Sequence, residues 1–441
     1  MTPPGTSSVD EQLGELIAEH AHPEVPAGSA AVVHDGQIHA LTWGCEPGTL
    51  FQAASISKPV AAVTALALAA RGDLDIEADV NTLLTSWQLP MPDGRPAVVT
   101  VRDILCHGAA LTTPGFPGYP AGQALPSLVE ILDGTPPANT PAVRLRGIPG
   151  LAYSYSGGGY TLLELLLRDV TGAELPELAA ELVLGPAGMT TAQYGQPEPG
   201  QAAPARSMGR PVPGGWHVYP ERAAAGLWCT PVDLVRFAVA VQASVAGTAG
   251  GLLPADLAAE MLSERLPGSG LGWALRGEGD GARFSHAGSN EGYTCKVAAP
   301  LAGGRAVAVM TASSEGRSVI DPVLRGLQVL GGWADPAEPE PAPAPSPAAG
   351  PPEPRTLDEL AARYEGRYSD AGGRVFTIGV LGWNWWLEVP GHARLPLTPR
   401  SYTRAVSDLV GAEVEFTVDD AGQATELVFS QLGTRIEAKR I

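Results

Sequence analysis

The chain has 441 residues, enough for a large core and for two domains rather than one, and carries 47 acidic against 28 basic side chains for a formal net charge of −19. Such a polyanion is repelled by nucleic acid and by anionic membrane surfaces, and no apolar run approaches the length of a membrane span. Its four cysteines (Cys45, Cys106, Cys229, Cys295) lie far apart without a C-x-x-C pair, which argues against a zinc ribbon and a dense disulfide framework and predicts free, mostly buried thiols.

Met1 to Gly14 holds Pro, Ser, Asp and Glu where a secretory leader needs basic and then apolar residues. A soluble, cytoplasmic protein is therefore expected, or a periplasmic or secreted one if a leader is removed. A helix is predicted over Val9 to His20, followed by a hairpin whose strands, Ala30 to His34 and Gln37 to Trp43, flank the favoured turn Asp35-Gly36. Next comes the stretch around which the chain is organised, Phe51 to Val60 (FQAASISKPV), opening an Ala- and Leu-rich helix that runs to Arg71 and stops at Gly72. Pro59 is tolerable only in the first turn, so the helix starts at about Ser55. Positions i and i+3 share a helix face, which sets Ser55 beside Lys58. Lysine is scarce: only Lys58, Lys296 and Lys439 occur, so generic positive charge is supplied by arginine. A buried lysine can give up its proton and an arginine cannot, which makes Lys58 a candidate base for a Ser55 nucleophile.

A Pro- and Gly-punctuated middle follows. Helices are predicted from Thr100, where Thr100 and Asp103 resemble a capping box, and from Thr230, with Pro231 at the first helical position and Asp233 behind it. Tyr153 to Tyr160 (YSYSGGGY) reads as a tight glycine loop before an apolar helix, Thr161 to Leu167. Strand character returns at Leu271 to Arg276 and Arg305 to Thr311, and between them Phe284 to Tyr293 (FSHAGSNEGY) is a strand leading into small residues. Strands, a helical middle and strands again suit an α/β (α+β) fold in which an antiparallel sheet is closed by distant segments and a helical lobe is inserted, the site lying in the cleft between.

Residues 336–354 are a Pro/Ala-rich linker, dividing domain 1–335 from domain 355–441. The second domain reads as a small all-β meander or barrel, with strands at Val375 to Val380, Trp383 to Val389, Ala412 to Val418, Glu426 to Phe429 and Gln431 to Ala438. Trp383, Trp385 and Trp386 are expected in its core.

Ser55-x-x-Lys58, Tyr155-Ser156-Gly157 and His286-Ala287-Gly288, in that order, together with the stretches Thr100 to His107 and Ala225 to Phe237, resemble the serine β-lactamase and penicillin-binding-protein superfamily, in its class C β-lactamase, D-aminopeptidase and esterase branch. The resemblance covers about Ala30 to Trp333; the C-terminal part resembles the lipocalin-like barrel that some of these hydrolases append. It implies a β-lactamase/transpeptidase-like fold and a serine hydrolase that forms an acyl-enzyme on Ser55, with Lys58, Tyr155 and His286 as the other catalytic residues. It places the oxyanion hole at the backbone N–H groups of Ser55 and Ser289 and substrate contacts at Gly157, Gly288 and Asn290. Lys58 and Tyr155, both with ordinary pKa values near about 10, remain alternative bases. His286 stands where many relatives carry lysine, and binds a substrate carboxylate only when protonated. Gly157 stands where many relatives carry the asparagine that grips an acyl amide, which favours small esters and amide or peptide substrates, including D-amino-acid ones, over β-lactams. A β-lactamase or D-Ala-D-Ala carboxypeptidase-like enzyme is the first alternative, a slowly acylated binding or sensor protein the second. A metal-dependent hydrolase using His34, His39, His107 or His286 has no zinc-ligand spacing behind it. No cofactor or metal is predicted, the partner is a small molecule rather than nucleic acid or membrane, and a homo-oligomer is left open.

Overall fold

The computed structural model describes residues 8–90, 98–333 and 362–441, apart from 382–383, 391, 393, 402, 408–409 and 420. The chain opens with helix α1 (Val9–Glu19), whose Ser8/Glu11 capping box satisfies its first free N–H groups. Strands β1 (Gly28–His34) and β2 (Gln37–Trp43) form the expected hairpin across Asp35 and Gly36, both at positive φ. Helix α2 (Ser57–Arg71) is buried on every side from Ser57 to Leu68, as its all-round apolar sequence requires, and ends at Gly72, φ 80°, with the Asp73 N–H bonded back to Leu68 O. Helix α3 (Val101–Leu105) carries the capping box read from Thr100, and α5 (Pro231–Val245), expected from Thr230, proves to carry one as well, with Asp233; between them lies α4 (Gly157–Thr171).

Strands β3 (Ala274–Arg276), β4 (Arg283–Asn290), β5 (Tyr293–Pro300) and β6 (Val307–Thr311), then helix α6 (Arg317–Leu330), complete the first domain. The six strands form one sheet in the order β2-β1-β6-β5-β4-β3, closed by antiparallel pairing of β1 with β6, Gly28 opposite Thr311. Side-chain alternation sorts its two faces. Ala30, Val32, Val307 and Val309 pack under α1 and α6 with Leu13, Ile320 and Leu324, while Ala31, Val33, Ala308 and Met310 face the core shared with α2 and α5. The expected closure by distant segments and the inserted helical lobe are both present. Two strand boundaries were set too early: Leu271 to Trp273 are core residues around Gly272, φ 83°, and Arg305 precedes the ladder.

The second domain is a closed antiparallel barrel of eight strands, β7 (Gly366–Asp370), β8 (Val375–Leu381), β9 (Asn384–Glu388), β10 (Leu395–Ser401), β11 (Arg404–Ser407), β12 (Ala412–Val418), β13 (Ala424–Gln431) and β14 (Thr434–Arg440), with β7 pairing β14. Strands β7, β10 and β11 are absent from the sequence reading. Pro396 and Pro399 argue against a strand over 395–401, and the ladder accommodates them with a register shift between Pro399 and Ser401. Trp385 is a core residue against Tyr364 and Phe416, but Trp386 is only partly buried, beneath the Arg394 guanidinium at 4.1 Å. Trp383 and the Pro/Ala-rich linker lie outside the described residues.

Candidate active site

The nucleophile sits on a sharp corner. Phe51–Gln52 pairs with Trp228–Cys229, Ala53 N donates to Leu227 O, and the chain then turns at Ala54, φ 47°, through a short 3-10 turn, Ala54–Ile56. That turn holds Ser55 just ahead of α2, whose regular helix begins two residues after the expected start. A buried alanine in the left-handed region costs roughly 1–2 kcal/mol, a local strain that holds Ser55 partly exposed while both neighbours are buried. Ser57 braces the corner, its hydroxyl donating to Ala54 O at 2.6 Å and accepting from Leu227 N at 3.0 Å. Strand β4 closes against it at Gly288, where any Cβ would collide with Ala53 O and Cys295 Sγ. Gly288 is thus a close-approach residue, its lack of a side chain making room for the corner.

Lys58 is 1% exposed, with Nζ 3.0 Å from Ser55 Oγ and 2.9 Å from Ala224 O. Burial lowers its pKa to about 7. Tyr155 shares a hydrogen bond with the Ser55 hydroxyl, yet burial pushes its phenol up to about 12. Near neutral pH the structure therefore offers, on one serine, a protonated phenol and an amine that gives up its proton far more readily than an exposed lysine.

Tyr155 precedes α4, and a residue outside the resemblance's catalytic set positions it. His107, buried and at φ 59°, stacks on Tyr155 with ring centroids 4.3 Å apart, accepts the Ser154 N–H on its carbonyl at 2.7 Å and the Ser156 N–H on Nδ1 at 3.3 Å. That last bond leaves the ring proton on Nε2. Desolvation and the Lys58 charge hold the imidazole neutral, well below its ordinary pKa. Ser156 caps α4, its hydroxyl accepting from Gly159 N and donating to Thr112 O. The glycines that read as a loop are the first turn of this helix. A Cβ on Gly157 would lie 2.9 Å from the Phe116 ring and 3.1 Å from Pro114 O, so that position is occupied by protein and offers substrate no grip.

His286 on β4 lies 6.4 Å, ring to ring, from Tyr155. Its Nδ1 is 2.8 Å from Ala287 O, which can only accept, so Nδ1 carries the proton; burial and the Lys58 charge lower its pKa to about 3. Burial thus favours the neutral imidazole over a carboxylate-binding imidazolium at neutral pH. Positive charge comes from elsewhere. Tyr153, Tyr155 and His286 line a cavity of about 400 Å³ whose described lining also includes Arg276, Lys296 and Arg317 and no carboxylate. Lys296 and Arg317 share the carboxylate of Asp321, at 3.3 Å and 3.9 Å, so the net positive charge is smaller than three cations. Asn290 is structural: its buried amide donates to Gln52 Oε1 and Ala225 O, tying β4 to the corner. Ser289 occupies an exposed position on β4 next to Gly288.

The short helix that holds Lys58 is flanked by an acidic pair without any sequence signature. Glu164 accepts the Ala223 N–H at 2.9 Å, fixing the short helix Arg222–Ala225 whose Ala224 carbonyl holds Lys58, and Glu221 is fully buried with no hydrogen-bond partner for its carboxylate among the described residues. Burial raises Glu164 to about 7 and Glu221 to about 8, each also raised by the other's charge or a neighbouring one. Among the described residues no three His, Cys, Asp or Glu side chains gather into a metal-ligand set, and no helix is long and apolar enough to cross a membrane.

A family model described as Beta-lactamase matches residues 14–330. A D-aminopeptidase of Cereibacter sphaeroides is 30% identical over 182 residues, 38% of this chain and 33% of that protein, and esterase EstB of Burkholderia gladioli is 29% identical over 173 residues, 37% of this chain and 43% of the esterase. The matches thus span less than half the length of these relatives. A crystal structure of SurE with D-Leu superposes over 98% of both chains at 24% identity and a TM-score of 0.58, a likeness of fold that includes the barrel domain.

Proposed function

The chain belongs to the beta-lactamase family, and we propose that it is a serine hydrolase that cleaves small esters and amide or peptide substrates, D-amino-acid derivatives among them, through an acyl-enzyme on Ser55. The observation that carries this reading is Lys58 Nζ, buried, lowered to about 7 and 3.0 Å from Ser55 Oγ. As an ammonium, Nζ donates to Oγ; once neutral, it accepts the hydroxyl proton while Oγ attacks the substrate carbonyl. Charge then developing on the carbonyl oxygen is met by the backbone N–H groups of Ser55 and Ser289. Tyr155, held as a phenol by burial, bridges Ser55 and the leaving group: it donates its proton to the departing oxygen or nitrogen and recovers one from Lys58. Water attacks the ester on Ser55 by the reverse relay, restoring the hydroxyl.

The leaving group extends into the cavity beyond Tyr155 and His286, whose Arg276, Lys296 and Arg317 favour leaving groups that bear a carboxylate. Phe116, packed where an asparagine side chain would project from Gly157, weighs against amide-gripping β-lactam turnover. The test is turnover of a panel of p-nitrophenyl esters, D-amino-acid amides, dipeptides with free and amidated C-termini, and a cephalosporin, each against Ser55→Ala. Hydrolysis of an ester or amide that vanishes in Ser55→Ala supports the reading. Turnover confined to the cephalosporin would favour a β-lactamase, and a stable adduct on Ser55 without release would favour a sensor.

A further inference from the structure

The barrel reaches the active site through the segment that presents Tyr155. From Gly147 to Ser154 the first domain sends a loop into the barrel, where Ile148 and Leu151, 4% and 2% exposed, lie among the barrel's own core residues. Three hydrogen bonds fix that loop's backbone to barrel side chains. Gln431 Oε1 accepts the Ile148 N–H at 3.2 Å, Thr434 Oγ1 accepts the Tyr153 N–H at 3.1 Å, and Arg374 Nη1 donates to Gly150 O at 3.2 Å. Gln431 and Thr434 are paired residues at the ends of β13 and β14, joined by Leu432 and Gly433, both at positive φ. Such a turn ordinarily takes Asn or Gly at its first central position, and a leucine there at φ 52° costs roughly 1–2 kcal/mol. Gln431 is itself held, its Nε2 donating to Val410 O. The loop's opposite side is pinned to His107 through Ser154 N and Ser156 N. Tyr153, bonded to the barrel, is two residues from Tyr155, and its ring shares the cavity wall with it.

We propose that the C-terminal barrel belongs to the reaction machinery as a second clamp on the Tyr155 loop, with Thr434 and Gln431 as positioning residues that act through Tyr155. A loop held only by the first domain, through His107, Gly108 O and the Arg146 guanidinium on Ser154 Oγ, would leave Ile148 and Leu151 without their apolar surroundings and give the phenol more freedom to move away from Ser55 Oγ. The barrel thus sets the acylation rate without supplying a group that touches the reacting atoms. This inference rests on the reading of Tyr155 as the proton relay.

The test uses the full-length protein. Thr434→Val removes the acceptor while keeping the side-chain shape, Thr434→Ser restores it, and Gln431→Leu removes the second bond. The readouts are kcat and KM for a small acetyl ester, the rate of fluorophosphonate labelling of Ser55, and the thermal midpoint. Loss of one neutral hydrogen bond corresponds to roughly a two- to tenfold change, so kcat and the labelling rate fall by that factor in Thr434→Val, with KM unchanged, and recover in Thr434→Ser. In a Tyr155→Phe background Thr434→Val adds no further loss, because the residue through which it acts is gone. Unchanged kcat in a folded Thr434→Val, or an equal loss in both backgrounds, overturns the clamp. A normal rate in Tyr155→Phe alone would instead overturn the relay reading.

Discussion

Lys58→Met should abolish turnover and make the protein more stable, by an amount that shrinks as pH rises. Burial moves the lysine from an ordinary 10.5 to about 7. At about 1.36 kcal/mol per pKa unit, a displacement of this size makes the native state about 5 kcal/mol less stable below pH 7 than a neutral isostere would. Methionine fills similar volume but abandons the bonds to Ser55 Oγ and Ala224 O, which returns about 1–3 kcal/mol of destabilisation. The net gain is therefore about 2–4 kcal/mol at pH 6. The sign of the pH dependence follows from proton counting. Between the folded and unfolded pKa values the unfolded lysine binds a proton that the folded one does not, so wild type gains stability relative to the variant as pH rises from 7 toward 10.5. From pH 6 to pH 9 the gap should close by about 3 kcal/mol. Urea unfolding of both proteins at pH 6, 7, 8 and 9 measures it, and groups common to both cancel in the difference. A gap that does not change with pH, or a variant less stable at every pH, would show that Lys58 is not a desolvated amine and would remove the basis for its role as a base.

Four further outcomes are expected. Ser57→Ala keeps fluorophosphonate labelling but costs about 1–3 kcal/mol in urea unfolding, because the buried Leu227 N–H loses its acceptor and Ala54 O its donor. The pH profile of kcat/KM rises through about 7 as Lys58 deprotonates, and Tyr155→Phe keeps that limb while falling about 10²–10⁴-fold; disappearance of the limb in Tyr155→Phe would assign it to the wrong residue. Glu164 and Glu221, raised by burial from 4.5 to about 7 and 8, contribute stability that is full below pH 4.5, declines as pH rises and is gone above 7 to 8, so Glu221→Gln should flatten the fall of unfolding free energy between pH 4.5 and 8. Gly157→Asn alone should lose about 1–3 kcal/mol of stability by overpacking Phe116, and only with Phe116→Ala should kcat/KM shift toward a cephalosporin; a gain in the single variant would contradict the packing argument.

Much of this architecture was legible because local chemistry and tertiary structure agree. The Thr100 capping box, the Thr230 helix start, the Asp35-Gly36 turn and the Gly72 stop each satisfy backbone groups within a few residues, so they read directly from sequence. Ser55, Lys58, Tyr155 and His286 were legible as ordered motifs, and the structure brings them together. What escaped depends on contacts between distant segments. His107 stands out in sequence only as the end of the Thr100 to His107 stretch and as a metal-ligand candidate, since nothing nearby in sequence shows that its ring stacks on a tyrosine 48 positions away. Glu164 sits in an apolar helix and Glu221 just before another, and their proximity beside the segment that holds Lys58 exists only in the folded state. Asn290 and Gly288 carry packing roles that their motif positions did not show, one tying strand β4 to Gln52 and the other making room for the corner at Ala53. Gly157 was read as a missing substrate grip, whereas the fold fills its place with Phe116.

The central claim, an acyl-enzyme on Ser55 that turns over, is tested most directly by acid-quenched intact-mass spectrometry with peptide mapping during hydrolysis of a p-nitrophenyl ester. The account predicts an adduct of one acyl group on the peptide carrying Ser55, forming in a burst, decaying at a rate no slower than kcat, and absent from Ser55→Ala along with turnover. Undiminished hydrolysis in a folded Ser55→Ala, or an adduct on any other residue, would contradict it.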